Sequence, residues 1–173
     1  MVHGSLQGPG RLEADKILAE DPAVEATAPF ILGQAIVTHG GRSIGVVLKG
    51  LDPEREFKVN DLAHSLRRGD WKGIADTAAR KPGIVLGEEL AGNLGAVIGS
   101  EVVLISPKSM ATPLGLLPRM QRFRVAGTLH TGYYEYDATT AYTSLAAAGK
   151  FFALEGGATG IGAKLKDITL VEE

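Results

Sequence analysis

Apolar positions in this chain fall into short alternating or continuous stretches, and the periods they keep predict its elements. Val24 to Pro29 and Ile31 to Thr38 read as strands. Ser43 to Lys49, with Ile44, Val46, Val47 and Leu48, reads as a buried strand closed by Gly50. Between them His39-Gly40-Gly41-Arg42 predicts a hairpin turn. Further strands are expected at Gly83 to Gly87, at Glu101 to Ser106, at Gln121 to Leu129 with Phe123, Val125 and Ala126 toward a core, and at Thr159 to Leu165. Helical spacing marks Arg11 to Glu20, with Leu12, Ile17 and Leu18 apolar and Asp21-Pro22 ending it. Three more helices are expected: Asn60 to Arg68 (Leu62 and Leu66 on one face), Glu88 to Leu94 ending at Gly95, and Ala141 to Ala148. Gly4 to Gly10 is loop-like, and Gly69 to Pro82 is polar without a clear period. Helices and hairpin-linked strands are interspersed, which defines an α+β class with a mixed sheet.

Composition narrows the function more than the fold. A length of 173 residues fits one compact domain or two small lobes sharing an interface. With 45% hydrophobic and 22% charged residues, the chain has an ordinary globular balance that argues against disorder. A net charge of −2 gives no electrostatic case for nucleic acid. The absence of cysteine excludes disulfides, zinc-thiolate sites and thiol catalysis. No stretch reaches the ~18 consecutive apolar residues of a membrane span; Leu94 to Ile105 is interrupted by Gly95, Gly99, Ser100 and Glu101. The start lacks the basic-then-apolar layout of an export signal. The chain ends just after a strand-like pattern, so it is expected to be a segment of a longer protein.

The motifs of catalysis fail on spacing or context. Gly156-Gly157-Ala158-Thr159-Gly160-Ile161-Gly162 outwardly has a dinucleotide-loop form. A strand-like alternation follows it instead of a helix, and the chain ends before the acidic partner that motif needs. Ala148-Gly149-Lys150 has Phe151 where a phosphate loop needs Ser or Thr. The four histidines, His3, His39, His64 and His130, show no metal-ligand spacing, and no serine sits in a nucleophile elbow. Glu88 and Glu89 diverge by ~100° on a helix, which suits them to a helix N-terminus rather than to a carboxylate dyad. Neither a cofactor nor a metal is expected. Tyr133, Tyr134 and Tyr136 are three of the four tyrosines. They read either as a stacking site or, preferably, as a strand end covering the joint between two lobes.

The stretch from 106 to 122 is different. Strands flank it, yet it is too long for a tight turn, and Pro107, Pro113 and Pro118 stiffen it. Leu114, Leu116, Leu117, Met110 and Met120 are costly to leave in water, about 1.5–3 kcal/mol for each leucine fully buried. Either a partner covers them or the loop folds back on its own chain. Arg119, Arg122 and Arg124 follow as a basic pad beside the apolar tip.

Three blocks in order carry a resemblance. Gly45 to Pro53 (GVVLKGLDP) is the first. The second is Gly83-Ile84-Val85-Leu86-Gly87-Glu88-Glu89-Leu90-Ala91 with Leu94-Gly95 and Gly99-Ser100-Glu101-Val102. The third is Phe123-Arg124-Val125-Ala126-Gly127-Thr128 with Gly132-Tyr133-Tyr134-Glu135-Tyr136-Asp137. Together, over about residues 24 to 167, they resemble the LolC/LolE permeases of the wider MacB-like periplasmic core family. Ser100, Tyr133 and the Met120-Gln121 pair depart from that family's pattern.

The resemblance implies a periplasmic domain of an ABC transporter permease at the bacterial inner membrane, without enzymatic activity of its own. It implies a mixed-sheet Porter-like α/β lobe (residues 1–80 and 138–173) and a smaller β-rich Sabre-like lobe (residues 81–137). The smaller lobe carries a β-hairpin hook over 106–122. The family releases lipoproteins from the membrane and passes them to a LolA-like periplasmic chaperone, driven by a cytoplasmic ATPase. A second permease subunit or a homodimer mate completes the membrane part. Carried over to this chain, the hook is Pro113, Leu114, Gly115, Leu116, Leu117 and Pro118, and the pad is Arg119, Met120, Gln121 and Arg122. The competing reading from the same wider family is the periplasmic domain of a MacB-type efflux or peptide-export permease that contacts an adaptor protein.

Overall fold

The computed structural model describes residues 2–6, 24–59, 62–75, 81–113, 115–153 and 158–165. The helix expected over Arg11 to Glu20 lies outside them, as does Leu114. Among the described residues nine strands form one connected set of pairings, in sequence order β1 (Val2–Leu6), β2 (Val24–His39), β3 (Arg42–Leu51), β4 (Leu66–Gly69), β5 (Gly83–Gly87), β6 (Glu101–Thr112), β7 (Gly115–Leu129), β8 (Thr140–Ser144) and β9 (Ala158–Leu165). Short helices are α1 (Pro53–Val59), α2 (Lys72–Ala75), α3 (Glu88–Leu94), α4 (Tyr134–Thr139) and α5 (Leu145–Phe151), with a 3-10 turn at Leu62–Ser65. Parallel and antiparallel pairs coexist, so the expected α+β mixed sheet is what forms.

Six of the strands close into a ring. β2 pairs with β3, β3 with β8, β8 with β5, β5 with β7, β7 with β6, and β6 returns to β2 through Ile36–Ile105, Val37–Leu104 and Thr38–Val103. The length of β2 makes this possible. Its first half pairs with β9 and its last turn with β6 along the same edge, while the other edge holds β3. The sequence reading divided this segment at Pro29. The structure keeps it whole, because Pro29 stands at a paired position within the β9 ladder and does not end the strand.

Each ring strand sends alternate residues inward, as a pleated strand must. Ala35 and Val37, Val46 and Leu48, Ile84 and Leu86, Val102 and Leu104, Phe123 and Val125, and Ala141 form one buried cluster. Leu90 and Leu94 of α3 join it, and so does Phe151 of α5. α3 follows the end of β5 and α5 the end of β8, and those two strands are antiparallel, so the helices close opposite ends of the ring. Outside the ring, Leu51, Val85, Leu129 and Tyr142 pack with Trp71 and Ile74 under α1, the 3-10 turn and α2. Trp71 meets Phe57 and Tyr142 edge-on, with ring centroids 5.2 and 6.2 Å apart. The polar stretch from Gly69 to Pro82 thus supplies part of a core.

Several expected elements change type. Ala141 to Ala148 is a strand first: β8 is buried at every position between β3 and β5, and the helix begins only after Ser144, whose Oγ accepts from the Ala147 amide at 3.0 Å. Burial and two-sided pairing outweigh alanine's helix preference there. Of the helix expected over Asn60 to Arg68, the described part is a 3-10 turn at Leu62–Ser65 followed by edge strand β4, because Leu66 pairs with Leu129 of β7. Gly160 and Gly162 lie within β9 opposite Phe30 and Ala28, not in a phosphate-binding loop. Glu88 to Leu94 is helical as expected and ends on Gly95 at φ 70°.

The tyrosine block also corrects its expectation. It is helix α4, not a strand end, and Tyr133, Tyr134 and Tyr136 are exposed among the described residues. What fixes α4 is the buried Asp137 carboxylate, which accepts from the Thr131 amide and hydroxyl, both at 2.9 Å, and from the Gly132 amide at 3.3 Å. His130 Nδ1 lies 2.9 Å from Glu88 and 3.5 Å from Asp137, tying α3 to the same corner. Among the described residues no cluster of histidines and carboxylates is arranged to hold a metal ion.

Candidate functional site: a projecting hairpin and a cationic groove

The stretch from 106 to 122, too long for a tight turn on its residues alone and a β-hairpin by the resemblance, is a hairpin. β6 runs on to Thr112 and β7 starts at Gly115, and these two residues pair with each other. Pro113 at the first turn position presets the backbone, and Gly115, at φ 112°, supplies a conformation that a side chain would strain. Beyond Ile105 the two strands pair only with each other among the described residues, so an arm of about 20 Å extends from the ring, at ~3.3 Å per residue.

Strand pairing shows where the prolines act. Thr112 and Gly115 close the turn, so hydrogen-bonded and non-bonded pairs alternate down the arm, and Ser109–Pro118 is a non-bonded pair. The nitrogen of Pro118 therefore lies on the outer edge of β7, where a free N–H would invite another strand. Between Ile105 and Ser109 the register slips, with three residues of β6, Pro107 among them, opposite one of β7.

That one residue is Arg119. Its guanidinium reaches the carbonyl of Lys150 at 3.4 Å, in the last turn of α5. The arm is thus tied at its base to a helix that closes the ring. Of the proposed pad, Met120 is 61% exposed, Gln121 Nε2 donates to the Arg122 carbonyl at 3.0 Å, and Arg122 is exposed. Pro113 and Gly115 are exposed at the tip.

Met120, Gln121 and Arg122 line an open groove together with Lys81, Gly99, Glu101 and Arg124. Among the described residues, three cations thus face one carboxylate. Glu101 pairs with Lys81 at 2.5 Å through Oε2 and with Arg122 at 3.4 Å through Oε1, and it stands opposite Arg124 in the β6–β7 register. The hydrogen bond from Lys81 holds the Glu101 carboxyl below the ordinary carboxylate range; slight burial opposes this, and the charges of Lys81 and Arg122 reinforce it. The Glu101 carbonyl lies 3.0 Å from His39 Nδ1, which donates to it from the end of β2. Lys81 and Glu101 were not singled out from sequence. Arg122 and Arg124, two positions apart on a strand, were the legible half, and Glu101 follows only once the hairpin register is known.

Among the described residues, a closed ring of mixed strands thus carries a projecting hairpin flanked by basic side chains. Comparison with known proteins specifies the class. The family model of the MacB-like periplasmic core domain matches residues 4–173, and the chain belongs to that family. It is 34% identical over 145 residues to the lipoprotein-releasing system transmembrane protein LolC of Neisseria meningitidis serogroup B, a match covering 82% of this chain and 34% of that protein. It is 35% identical over 151 residues to LolC of Xylella fastidiosa, covering 86% and 35%. The chain therefore spans about a third of the length of these curated relatives. Two solved structures share the fold. The extracellular domain of the ABC-type transporter YknZ aligns with TM-score 0.67 and 12% identity over 99% of this chain and 86% of that one. The periplasmic region of MacB from Actinobacillus actinomycetemcomitans gives TM-score 0.63 and 17% identity over 97% and 77%.

Proposed function

We propose that this is the periplasmic domain of an ABC transporter permease that releases lipoproteins from the bacterial inner membrane. The arm, with Leu114 at its tip, docks a LolA-like periplasmic chaperone, and the cationic groove at its base forms the adjoining pad. In the whole transporter a cytoplasmic ATPase acts through the membrane part, beside a second permease subunit or a homodimer mate. This domain relays the motion to the docked chaperone and the lipoprotein. The residues of the Porter-like lobe (1–80 and 138–173) and those of the Sabre-like lobe (81–137) divide this work, the second carrying the hook.

One observation carries the reading: the arm is preorganised. Its strands pair to the tip, a proline and a glycine set its turn, and Arg119 ties its base to α5. A partner that binds it does not have to order it first. The identity to LolC over most of the chain favours lipoprotein release over the other transporters of this fold.

The test is Leu114→Asp in the full-length transporter, read by pull-down of the purified chaperone with circular dichroism as the fold control. Loss of capture with an unchanged spectrum is expected. Undiminished capture would overturn the assignment of the hook.

A further inference from the structure

Among the described residues lining the groove Glu101 is the one carboxylate, and it engages two of the three cations described there. It is well placed to do so. β6 begins at Glu101, its carbonyl is held by His39, and its neighbours hold the groove wall through Val125 N to Ser100 O at 2.9 Å and Gly99 N to Val125 O at 2.8 Å. Among the described residues Arg124 has no ion pair, so the groove is only partly neutralised. The pairs are exposed, with side-chain exposures of 45% for Lys81, 69% for Arg122 and 38% for Glu101. Exposed ion pairs contribute little to stability, and an incoming anion exchanges for such a partner at low cost.

We infer that Glu101 is an internal counter-ion of the groove, which the acidic face of a docking protein must displace from Arg122 and Lys81. This rests on the docking reading proposed above and adds a selectivity element to it. Glu101 holds the cationic side chains in place while the site is empty. It also weakens attraction for any anion that cannot contact both the arm and the groove. A weakly acidic bystander meets a partly neutralised surface. A partner seated on the arm brings its carboxylates close enough to replace Glu101 one for one. An acidic protein face fits better than a lipid surface because the groove is continuous with the arm through Met120, Gln121 and Arg122. A ligand in the groove therefore lies at the base of the arm.

The experiment uses the full-length transporter in nanodiscs and the purified periplasmic chaperone, with dissociation constants measured at low, physiological and high salt. Four forms are compared: wild type, Glu101→Gln, Arg122→Gln and Leu114→Asp. Glu101→Gln is expected to tighten binding roughly two- to fivefold at low salt, with the gain lost at high salt, because the charges involved are exposed and screened. Arg122→Gln is expected to weaken binding in the same salt-dependent way. Unchanged or weaker binding by Glu101→Gln, with Leu114→Asp still disrupting, overturns the counter-ion role and leaves the docking reading standing. Undiminished binding by Leu114→Asp overturns the docking reading itself, and this inference with it. A gain for Glu101→Gln confined to phosphatidylglycerol vesicles also overturns the inference, since the groove would then recognise a lipid surface.

Discussion

The carbonyl oxygen of Asp137 occupies the space a side chain on residue 87 would need: a Cβ built on Gly87 lies 2.1 Å from it and 2.8 Å from the Asp137 Cα. The end of β5 and helix α4 are thus in backbone contact, with no flexible group between them to give way. Gly87→Ala is expected to cost roughly 2–3 kcal/mol by forcing α4 off the ring. Thermal unfolding followed by circular dichroism checks this. A melting temperature equal to wild type would show that α4 moves freely.

The same corner depends on the charge of Asp137. Its carboxylate meets only donors, from Thr131, Gly132 and His130. An amide at this position would turn an NH2 toward one of them. Asp137→Asn is expected to lose about 1–3 kcal/mol of stability, the range for a buried charged acceptor left mismatched. Denaturant unfolding at neutral pH measures it.

Tyr142 makes the ring sensitive to strongly alkaline pH. Burial between Trp71 and the outer face, with the negative charge of Asp137 and Glu56 nearby, pushes its phenol up to about 12 from 10.0. Above pH 10 the unfolded chain gives up this proton while the folded one keeps it. The contribution is therefore complete below pH 10 and is lost as pH rises toward 12, on the order of 2 kcal/mol in all. The difference between wild type and Tyr142→Phe, in stability and in phenolate absorbance across that window, isolates the effect. A flat difference would contradict it.

Arg119 is expected to matter for the arm's base more than for global stability. Its long contact to Lys150 is worth about 0.3–1 kcal/mol at a helix C-terminus. Arg119→Ala should hardly move the melting temperature, while amide exchange at Ile105 and Met120 quickens. Equal protection in both proteins would show that the tie to α5 is idle.

The sequence made some of this legible and hid the rest for identifiable reasons. The β2–β3 hairpin was plain because Gly40-Gly41 sits between two alternating strands and the register centres on it. Strand β8 was hidden because Ala141 to Ala148 is locally a good helix, and only pairing to both β3 and β5 overrules that preference. Trp71 and Ile74 were hidden because two buried residues in a polar stretch keep no period. The basic residues after the hook could be read. The carboxylate opposite them could not, since a slip of register between Ile105 and Ser109 intervenes between the turn and Glu101. Ring closure through β2 and β6 rests on three residue pairs, too few to leave a pattern.

The reach of β2 has a consequence in time. Its Leu32 amide donates to Thr159 Oγ1 at 2.7 Å across 127 positions of sequence, and among the described residues its stretch Val24 to Pro29 pairs only with β9. Non-local pairing of this kind slows folding, since the loop must close before the contact is gained. As the chain is made, β2 can form its hairpin with β3 at once but must wait for nearly all the rest before its other edge is covered along Val24 to Phe30. In that interval an unpaired strand edge lies open to neighbouring chains. Maturation of this domain is therefore expected to be limited by the arrival of β9, and truncation before Ala158 should yield a chain that aggregates rather than a smaller folded unit.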